Sequence, residues 1–244
     1  MLSDHQLLRY SRQLVLPEVD LVGQQRLLSA RVLLVGAGGI GCPVALYLAS
    51  SGVGNLTVID HDVVALHNLP RQILFDDRDL GQPKAAVMKR KLAGQCPDTE
   101  VHAELFQLES VEQLSGQAFD LVIDATDSPN VGSVLNAFSL QRRVPVLYLA
   151  AVAMEGRLFL AQGYLPNSPC LQCYLGDAPD PMGGCATLGV LAPSVGALAL
   201  LGSTQAIRLL LGDALDDLLC VDTWRGNTLR LQIAKNKHCS ACKD

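Results

Sequence analysis

The sequence predicts an α/β fold with a doubly wound, mainly parallel sheet. Three observations carry this. Short apolar runs rich in β-branched residues recur at 31–35, 55–60, 120–124 and 145–149. Helical patterns alternate with them, as in a parallel sheet covered on both faces. The first run ends in Gly36-Ala-Gly-Gly-Ile-Gly41, a glycine turn that opens a helix, so 31–60 reads as a βαβ unit.

Taken in order, residues 2–14 read as a short amphipathic helix, with Ser3 as N-cap and Leu7, Leu8 and Leu14 as apolar contacts. A second helix is expected near 22–28. Arg31-Val-Leu-Leu-Val35 is the first strand. Cys42 to Ser51 follows as a helix, with Pro43 tolerable in its first turn, and Gly52-Val-Gly54 stops it. Residues 55–60 form the second strand, 84–92 a helix and 101–106 a strand. Asp120-Leu-Val-Ile-Asp124 is a buried strand ending in the polar loop Ala125-Thr-Asp-Ser-Pro129. A helix runs on to about Gln141, and 145–149 is the next strand. After Met154 the pattern changes. A strand at 156–162 gives way to a loop rich in Pro, Gly and Cys that runs to Gly184. A long helix is expected at 194–211, then a hairpin with strands at 221–224 and 228–233 around Arg225-Gly-Asn227. The expectation is one domain, 1–244, with N-terminal helices (1–30), a nucleotide-binding α/β core (31–154) and a modified C-terminal part (155–244).

Composition narrows the class. The chain has 244 residues, 49% of them hydrophobic and 18% charged, which suffices for a core without disulfides and excludes a disordered chain. Lys+Arg is 19 and Asp+Glu is 24, a net charge of 19 − 24 = −5, so a nonspecific nucleic-acid binder is disfavoured. The opening MLSDHQLLRYSRQ has no apolar signal region. The apolar stretch Thr187 to Leu201 is shorter than a span of about 20 residues and is interrupted by Pro193 and glycines, so it reads as buried core rather than membrane. Eight cysteines without a secretory signal suggest reduced thiols and a cytoplasmic protein.

Gly36-x-Gly38-x-x-Gly41 sits where a phosphate-binding turn sits in a Rossmann-like fold. Its glycines let the backbone approach an anion, and the helix N-terminus behind it supplies free N–H groups. The alternative is a turn needed only for close helix–sheet packing. Asp60 stands where an acidic residue takes ribose hydroxyls, in NAD or in another nucleotide. Arg71 and Lys84 are isolated cations in neutral or acidic surroundings. They read either as compensation for a triphosphate or as solvated surface charges. Asp124 and Asp127 lie at a strand's carboxyl end, where a carboxylate holds Mg²⁺ against phosphates or caps a turn. Cys170-x-x-Cys173 and Cys239-x-x-Cys242, 65 residues apart, match a structural tetrahedral Zn²⁺ site, with a redox pair as the runner-up. Cys42, Cys96 and Cys220 read as core or incidental thiols, and His238 as a bystander on a basic tail. Cys185, after Pro181-Met-Gly-Gly184, is either a nucleophile or functionally silent.

In combination these segments resemble the MoeB/ThiF/HesA family, prokaryotic relatives of the ubiquitin-activating enzymes. The resemblance rests on Arg9-Tyr-Ser-Arg12-Gln, Val35-Gly-Ala-Gly-Gly-Ile-Gly41, Gly52-Val-Gly-Asn-Leu-Thr, Asp60-His-Asp62, Asn68-Leu-Pro-Arg-Gln72, Gly81-Gln-Pro-Lys84 and Asp124-Ala-Thr-Asp127. Glu155-Gly156, both cysteine pairs and Gly189-Val-Leu-Ala-Pro193 extend it to the C-terminus. It implies an ATP-dependent adenylyltransferase acting on a small β-grasp sulfur carrier of the MoaD or ThiS type. The carrier's C-terminal Gly-Gly carboxylate attacks the α-phosphate, pyrophosphate leaves and an acyl-adenylate remains. By the same resemblance Gly39 and Gly41 approach the phosphates, Asp60 holds the ribose, and Gly36, Gly38 and Asp62 belong to the nucleotide site. Asn68, Arg71, Gln72 and Lys84 contact the nucleotide or stabilise charge, and Asp127 positions Mg²⁺. Arg12 reaches the nucleotide of a second subunit, which implies a homodimer. The four paired cysteines bind zinc, residues 155–244 hold the carrier, and a separate protein donates sulfur. Pro70, Ser128, Gly132, Tyr148-Leu149 and Ala153 depart from the family's usual pattern near the expected carrier-tail channel. Two other functions share some features: an NAD(P)-dependent oxidoreductase, and a noncatalytic relative that only binds a β-grasp partner.

Overall fold

The computed structural model describes residues 1–176, 189–213 and 218–243. Strands β1 (Arg31–Val35), β2 (Asn55–Ile59), β3 (Glu100–Glu104), β4 (Leu121–Asp124), β5 (Val146–Val152), β6 (Glu155–Ala161), β7 (Leu218–Asp222) and β8 (Asn227–Leu231) join one sheet in the order β3-β2-β1-β4-β5-β6-β7-β8. From β3 to β5 all neighbours are parallel, and from β5 to β8 all are antiparallel. The register aligns Val35 with Ile59 and with Asp124, and Asp124 with Tyr148. The glycine turn, Asp60 and the loop after β4 therefore leave the same carboxyl edge. In an open α/β sheet this is the edge where ligands bind.

Strand periodicity sorts the core into two layers. Val32 and Leu34 pack with α4 (Gly41–Ser50), α5 (Lys84–Gln95) and α8 (Ala192–Leu211), whereas Leu33 and Val35 face α6 (Pro129–Arg142) and α7 (Leu171–Leu175). The doubly wound expectation holds. Helix α6 follows local rules closely. Ser128 Oγ accepts from the Val131 amide at 3.4 Å, Pro129 occupies the first turn, and Arg143 closes the helix with φ +58°.

Several boundaries differ from the sequence reading. The expected helix over 2–14 is two short helices, α1 (Asp4–Arg9) and α2 (Ser11–Leu14), broken at the buried Tyr10. The next helix, α3 (Asp20–Ser29), starts two residues earlier than expected. The hairpin strands lie one to three residues earlier, because Asp222 Oδ1 accepts from the amides of Trp224 and Arg225 and turns the chain there. The cysteine-rich segment expected to be a loop contains α7. The apolar stretch read as buried core begins α8, which buries only one face: Val195, Leu198, Ala199, Gly202 and Ala206 are covered, whereas Leu200 is 41% exposed. By length and composition α8 is apolar enough to cross a membrane, but its small-residue face packs on α4, β5 and β6. Residues 187 and 188 of that stretch, and Cys185, lie outside the described residues.

Candidate functional site

The turn between β1 and α4 is shaped by contacts that exclude side chains. Gly36 has φ +96°, and a Cβ there would lie 2.8 Å from the Ala125 carbonyl oxygen. At Gly41 a Cβ would stand 1.9 Å from the Gly36 oxygen. The turn is thus folded on itself and pressed against the loop after β4. Asp60, just past β2, accepts from the Ala37 amide at 2.6 Å and from the Asp62 amide at 2.8 Å, which fixes the turn's near side. The amides of Gly38 and Gly39 have no acceptor among the described residues. They stand before the α4 N-terminus, where an anion is favoured.

The loop from 61 to 83 brings Arg71 and Gln72 to this turn. Arg71 lies along it: a Cβ on Gly39 would meet Arg71 Cγ at 3.2 Å. The guanidinium donates to the His67 carbonyl at 2.9 Å. Gln72 is buried, its Nε2 lies 4.0 Å from the Cβ position of Gly38, and its Oε1 is the one buried side-chain oxygen or nitrogen without a hydrogen-bond partner among the described residues. Such an orphan is costly unless a ligand satisfies it. Asn68 is buried and accepts from the Ala65 amide at 3.3 Å, which holds the turn that presents Arg71. The loop is clamped onto α5 by Lys91, 2.8 Å from Asp76 and 2.5 Å from Asp79.

Lys84 is not the isolated cation the sequence suggested. It is buried, and its Nζ donates to Asp62 Oδ2 at 2.8 Å. That bond holds the Asp62 carboxyl below its usual range. Lys84 is thus held in an ion pair whose carboxylate partner is half exposed to solvent.

The two aspartates after β4 divide their roles. Asp124 is buried and accepts from both the amide and the hydroxyl of Thr126, at 3.0 and 2.7 Å. Burial outweighs those bonds and pushes its carboxyl up to about 6. Asp127 is exposed, and Ser128 rather than Asp127 caps α6. The exposed carboxylate therefore remains available at the crevice.

The structure does not bring Arg12 to these residues within one chain. Neighbouring Gln13 donates to the Ser51 carbonyl at 2.8 Å, at the far end of α4 from the glycine turn. A helix of 10 residues spans about 15 Å. Arg12 is exposed and has no hydrogen-bond partner among the described residues.

The cysteine pairs converge at the other edge of the sheet. Cys170 Sγ lies 3.8 Å from Cys173 Sγ and 3.6 Å from Cys239 Sγ, and Cys173 Sγ lies 3.4 Å from Cys242 Sγ. These separations are too long for a disulfide. They match tetrahedral Zn²⁺, whose bonds of about 2.3 Å put sulfurs about 3.8 Å apart. Burial works against the Cys239 thiolate, but the Ala241 and Cys242 amides and two thiols outweigh it and bring it to about 7.

The ThiF family model matches residues 10–241. This chain belongs to the ThiF family. The molybdopterin-synthase adenylyltransferase of Escherichia coli (strain K12) is 36% identical over 247 residues, 99% of this chain and 98% of the relative. The sulfur carrier protein ThiS adenylyltransferase of the same organism is 38% identical over 213 residues, 86% of this chain and 84% of that one. The SAMP-activating enzyme E1 of Haloferax volcanii is 38% identical over 245 residues, covering 97% and 89%. Among solved structures, Escherichia coli MccB superposes with a TM-score of 0.82 at 22% identity, over 97% of this chain and 72% of that chain, a likeness of fold.

Three of the departures from the ThiF-family pattern, Gly132, Tyr148 and Ala153, have local structural partners. A Cβ on Gly132 would lie 3.2 Å from Leu171, a tight contact, and 3.8 Å from the Tyr148 ring. Tyr148 Oη donates to the Gly132 carbonyl at 3.2 Å. Ala153 turns β5 into β6 with φ +54°, and its amide and carbonyl pair with Gly189 and Leu191. Pro70 is exposed beside Arg71. Sequence reasoning missed Tyr10 and Asp98 as a contact pair, and it missed the open face of the antiparallel strands. There Arg157, Cys220 and Leu229 lie side by side, Leu229 and Leu231 are 56% and 41% exposed, and Trp224 in the adjoining turn is 71% exposed. Alternation along β8 held that signal, but only once its register was known.

Proposed function

We propose that this ThiF-family chain is an ATP-dependent adenylyltransferase that activates the C-terminal Gly-Gly carboxylate of a small β-grasp sulfur carrier, of the MoaD or ThiS type. The observation that carries this is the set of groups around Gly38 and Gly39: unpaired amides, Arg71 laid along the turn and the orphaned Gln72 oxygen. In this reading Gly36, Gly38, Gly39 and Gly41 admit the phosphates and Asp60 and Asp62 border the ribose. Asn68, Arg71, Gln72 and Lys84 contact the nucleotide. Asp127 suits Mg²⁺, which takes one or two carboxylates and otherwise phosphate oxygens and water.

The chemistry follows from charge. A carboxylate attacking a polyanion is slow because like charges repel, and Arg71 and Lys84 stabilise the charge that builds at the phosphate. A carboxylate is already ionised at pH 7, so no general base is required. The acyl-adenylate then accepts sulfur from a separate donor. The exposed apolar side chains of Leu229, Leu231 and Trp224 support a protein substrate rather than a small one, since clustered exposed apolar surface marks a docking site. The position of Arg12 supports a homodimer in which it serves the neighbouring copy's crevice. Cys170, Cys173, Cys239 and Cys242 would hold a structural Zn²⁺. The setting we infer is the cytoplasm.

The test is ATP–pyrophosphate exchange with purified Gly-Gly-tailed carriers of both types. Exchange with one of them supports the reading. Reduced-nicotinamide binding without exchange would favour an oxidoreductase, and carrier binding without exchange a noncatalytic relative. For Cys185, Cys185→Ala followed by thiocarboxylate mass spectrometry decides: an unchanged yield removes the nucleophile.

A further inference from the structure

The N-terminal arm that carries Arg12 is held by polar contacts rather than by a buried face. Along α1 every side chain is exposed or half-buried, and Leu8 is 77% exposed. Tyr10 is the exception at 3% exposure. It is also the pivot of the arm, being both the C-cap of α1 and the N-cap of α2. Its ring lies against Gly52, where a Cβ would stand 2.9 Å from Tyr10 Cζ and 2.5 Å from Gln24 Nε2. Gly52 also has φ +87°, so this socket depends on a residue without a side chain.

Three arm side chains converge on one carboxylate 88 residues from Tyr10. Tyr10 Oη donates to Asp98 Oδ2 at 3.0 Å, Gln6 Nε2 donates to Asp98 Oδ1 at 3.0 Å, and Arg9 Nε lies 3.4 Å from Oδ2. Asp98 is only 15% exposed and sits in the turn between α5 and β3. That turn is itself anchored, since Thr99 Oγ1 donates to the Ala49 carbonyl at 3.2 Å. Charge-assisted hydrogen bonds in a partly buried setting are the strong ones, and they fix direction as well as distance. Two residues beyond the pivot, Arg12 projects with no partner among the described residues.

We propose that Asp98 is a positioning residue for Arg12: by clamping Gln6, Arg9 and Tyr10 it sets the direction in which the arm offers Arg12 to the crevice of a second copy. The clamp is a device of the donating chain. It stands at the opposite end of α4 from that chain's own glycine turn. Loss of Asp98 should therefore damage the neighbour's crevice and spare its own. This deepens the proposed function and rests on Arg12 acting between copies.

The experiment is subunit mixing, read by ATP–pyrophosphate exchange with a Gly-Gly-tailed carrier. Asp98→Ala alone should lower exchange about tenfold or more, as expected when a charged contact is misplaced. Mixed with Arg71→Ala, it should recover about a quarter of wild-type exchange. In a two-fold dimer half of the pairs are then mixed, and one of the two sites in each combines an intact crevice with an intact arm. Mixed with Arg12→Ala it should recover nothing, because both chains donate a defective arm. Failure of the first mixture, or rescue in the second, overturns the proposal. The Arg12→Ala with Arg71→Ala mixture separates the two levels: if it too fails, the reading of Arg12 between copies falls and takes this one with it. Should Asp98→Ala not fold, Tyr10→Phe removes one bond of the clamp and is put through the same mixtures, with the same outcomes supporting or overturning the role.

Discussion

Removing the metal implied by the four cysteines should unfasten the C-terminal segment without disabling the crevice. The sulfurs stand 3.4–3.8 Å apart along their linked pairs, so one ion can bridge both. Bridging closes a loop with 65 residues between Cys173 and Cys239. Treated as a cross-link, a loop of that length removes about 4 kcal/mol of unfolded-chain entropy. For a chain of this size each kcal/mol shifts Tm by roughly 2–4 °C, so stripping the ion should lower Tm by about 8–16 °C. Lys235 Nζ, bonded to the carbonyls of Gly163 and Leu165 at 2.9 and 3.0 Å, retains part of the segment and favours the lower end of that range. The assay is scanning calorimetry under reducing conditions, before and after a zinc chelator, with metal content followed by elemental mass spectrometry. Cys239→Ser should reproduce the shift. Exchange at 25 °C should stay within about twofold, because Cys170 contacts Gly163 beyond the far end of β6. Loss of one equivalent of zinc with a Tm change below about 2 °C would refute the fastening argument. Purified reduced protein that never binds zinc would refute the assignment of the ligands.

Arg71→Ala and Asp127→Ala should each lower exchange about a hundredfold or more, with Tm nearly unchanged because neither side chain supports the core. Full activity in either, measured at saturating ATP, would remove that residue from the site. Asp124, raised from 3.8 to about 6 by burial, contributes stability that is complete below pH 3.8 and is lost as pH rises through 6. Asp124→Asn should flatten that stretch of the stability profile in urea titrations and add up to about 3 kcal/mol at pH 7.5. Gly41→Ala should cost more than about 3 kcal/mol, since its Cβ would stand 1.9 Å from a backbone oxygen, whereas Gly94→Ala, with nothing within 4 Å, should be neutral or stabilise α5 by up to about 1 kcal/mol. Equal melting temperatures for these two variants would contradict the packing of the turn.

The parallel half of the fold was legible because its signals are local. The apolar run at 31–35 and the glycine turn that follows it each act within a few residues. The cysteine quartet was legible for a chemical reason: two short pairs suit one soft ion whatever lies between them. What escaped depends on distant partners. The break at Tyr10 is set by Asp98 and Gly52, neither of which a helical period can reveal. Asp124 and Asp127 read alike in sequence, and only burial separates a buried turn anchor from an exposed carboxylate. Lys84 looked isolated because its counterion, Asp62, lies 22 residues away. The hairpin was misplaced because Asp222, read as part of a strand, also supplies the turn's acceptor.

The sheet keeps its two chemistries at opposite edges. An acyl-adenylate is a reactive mixed anhydride, and a cluster of four thiolates would be a nucleophile able to steal the acyl group. Strand β6 runs seven residues from the crevice side toward the cysteine quartet, a distance of about 23 Å. A metal held by the quartet would therefore stand well away from the mixed anhydride, which survives for the sulfur meant to consume it.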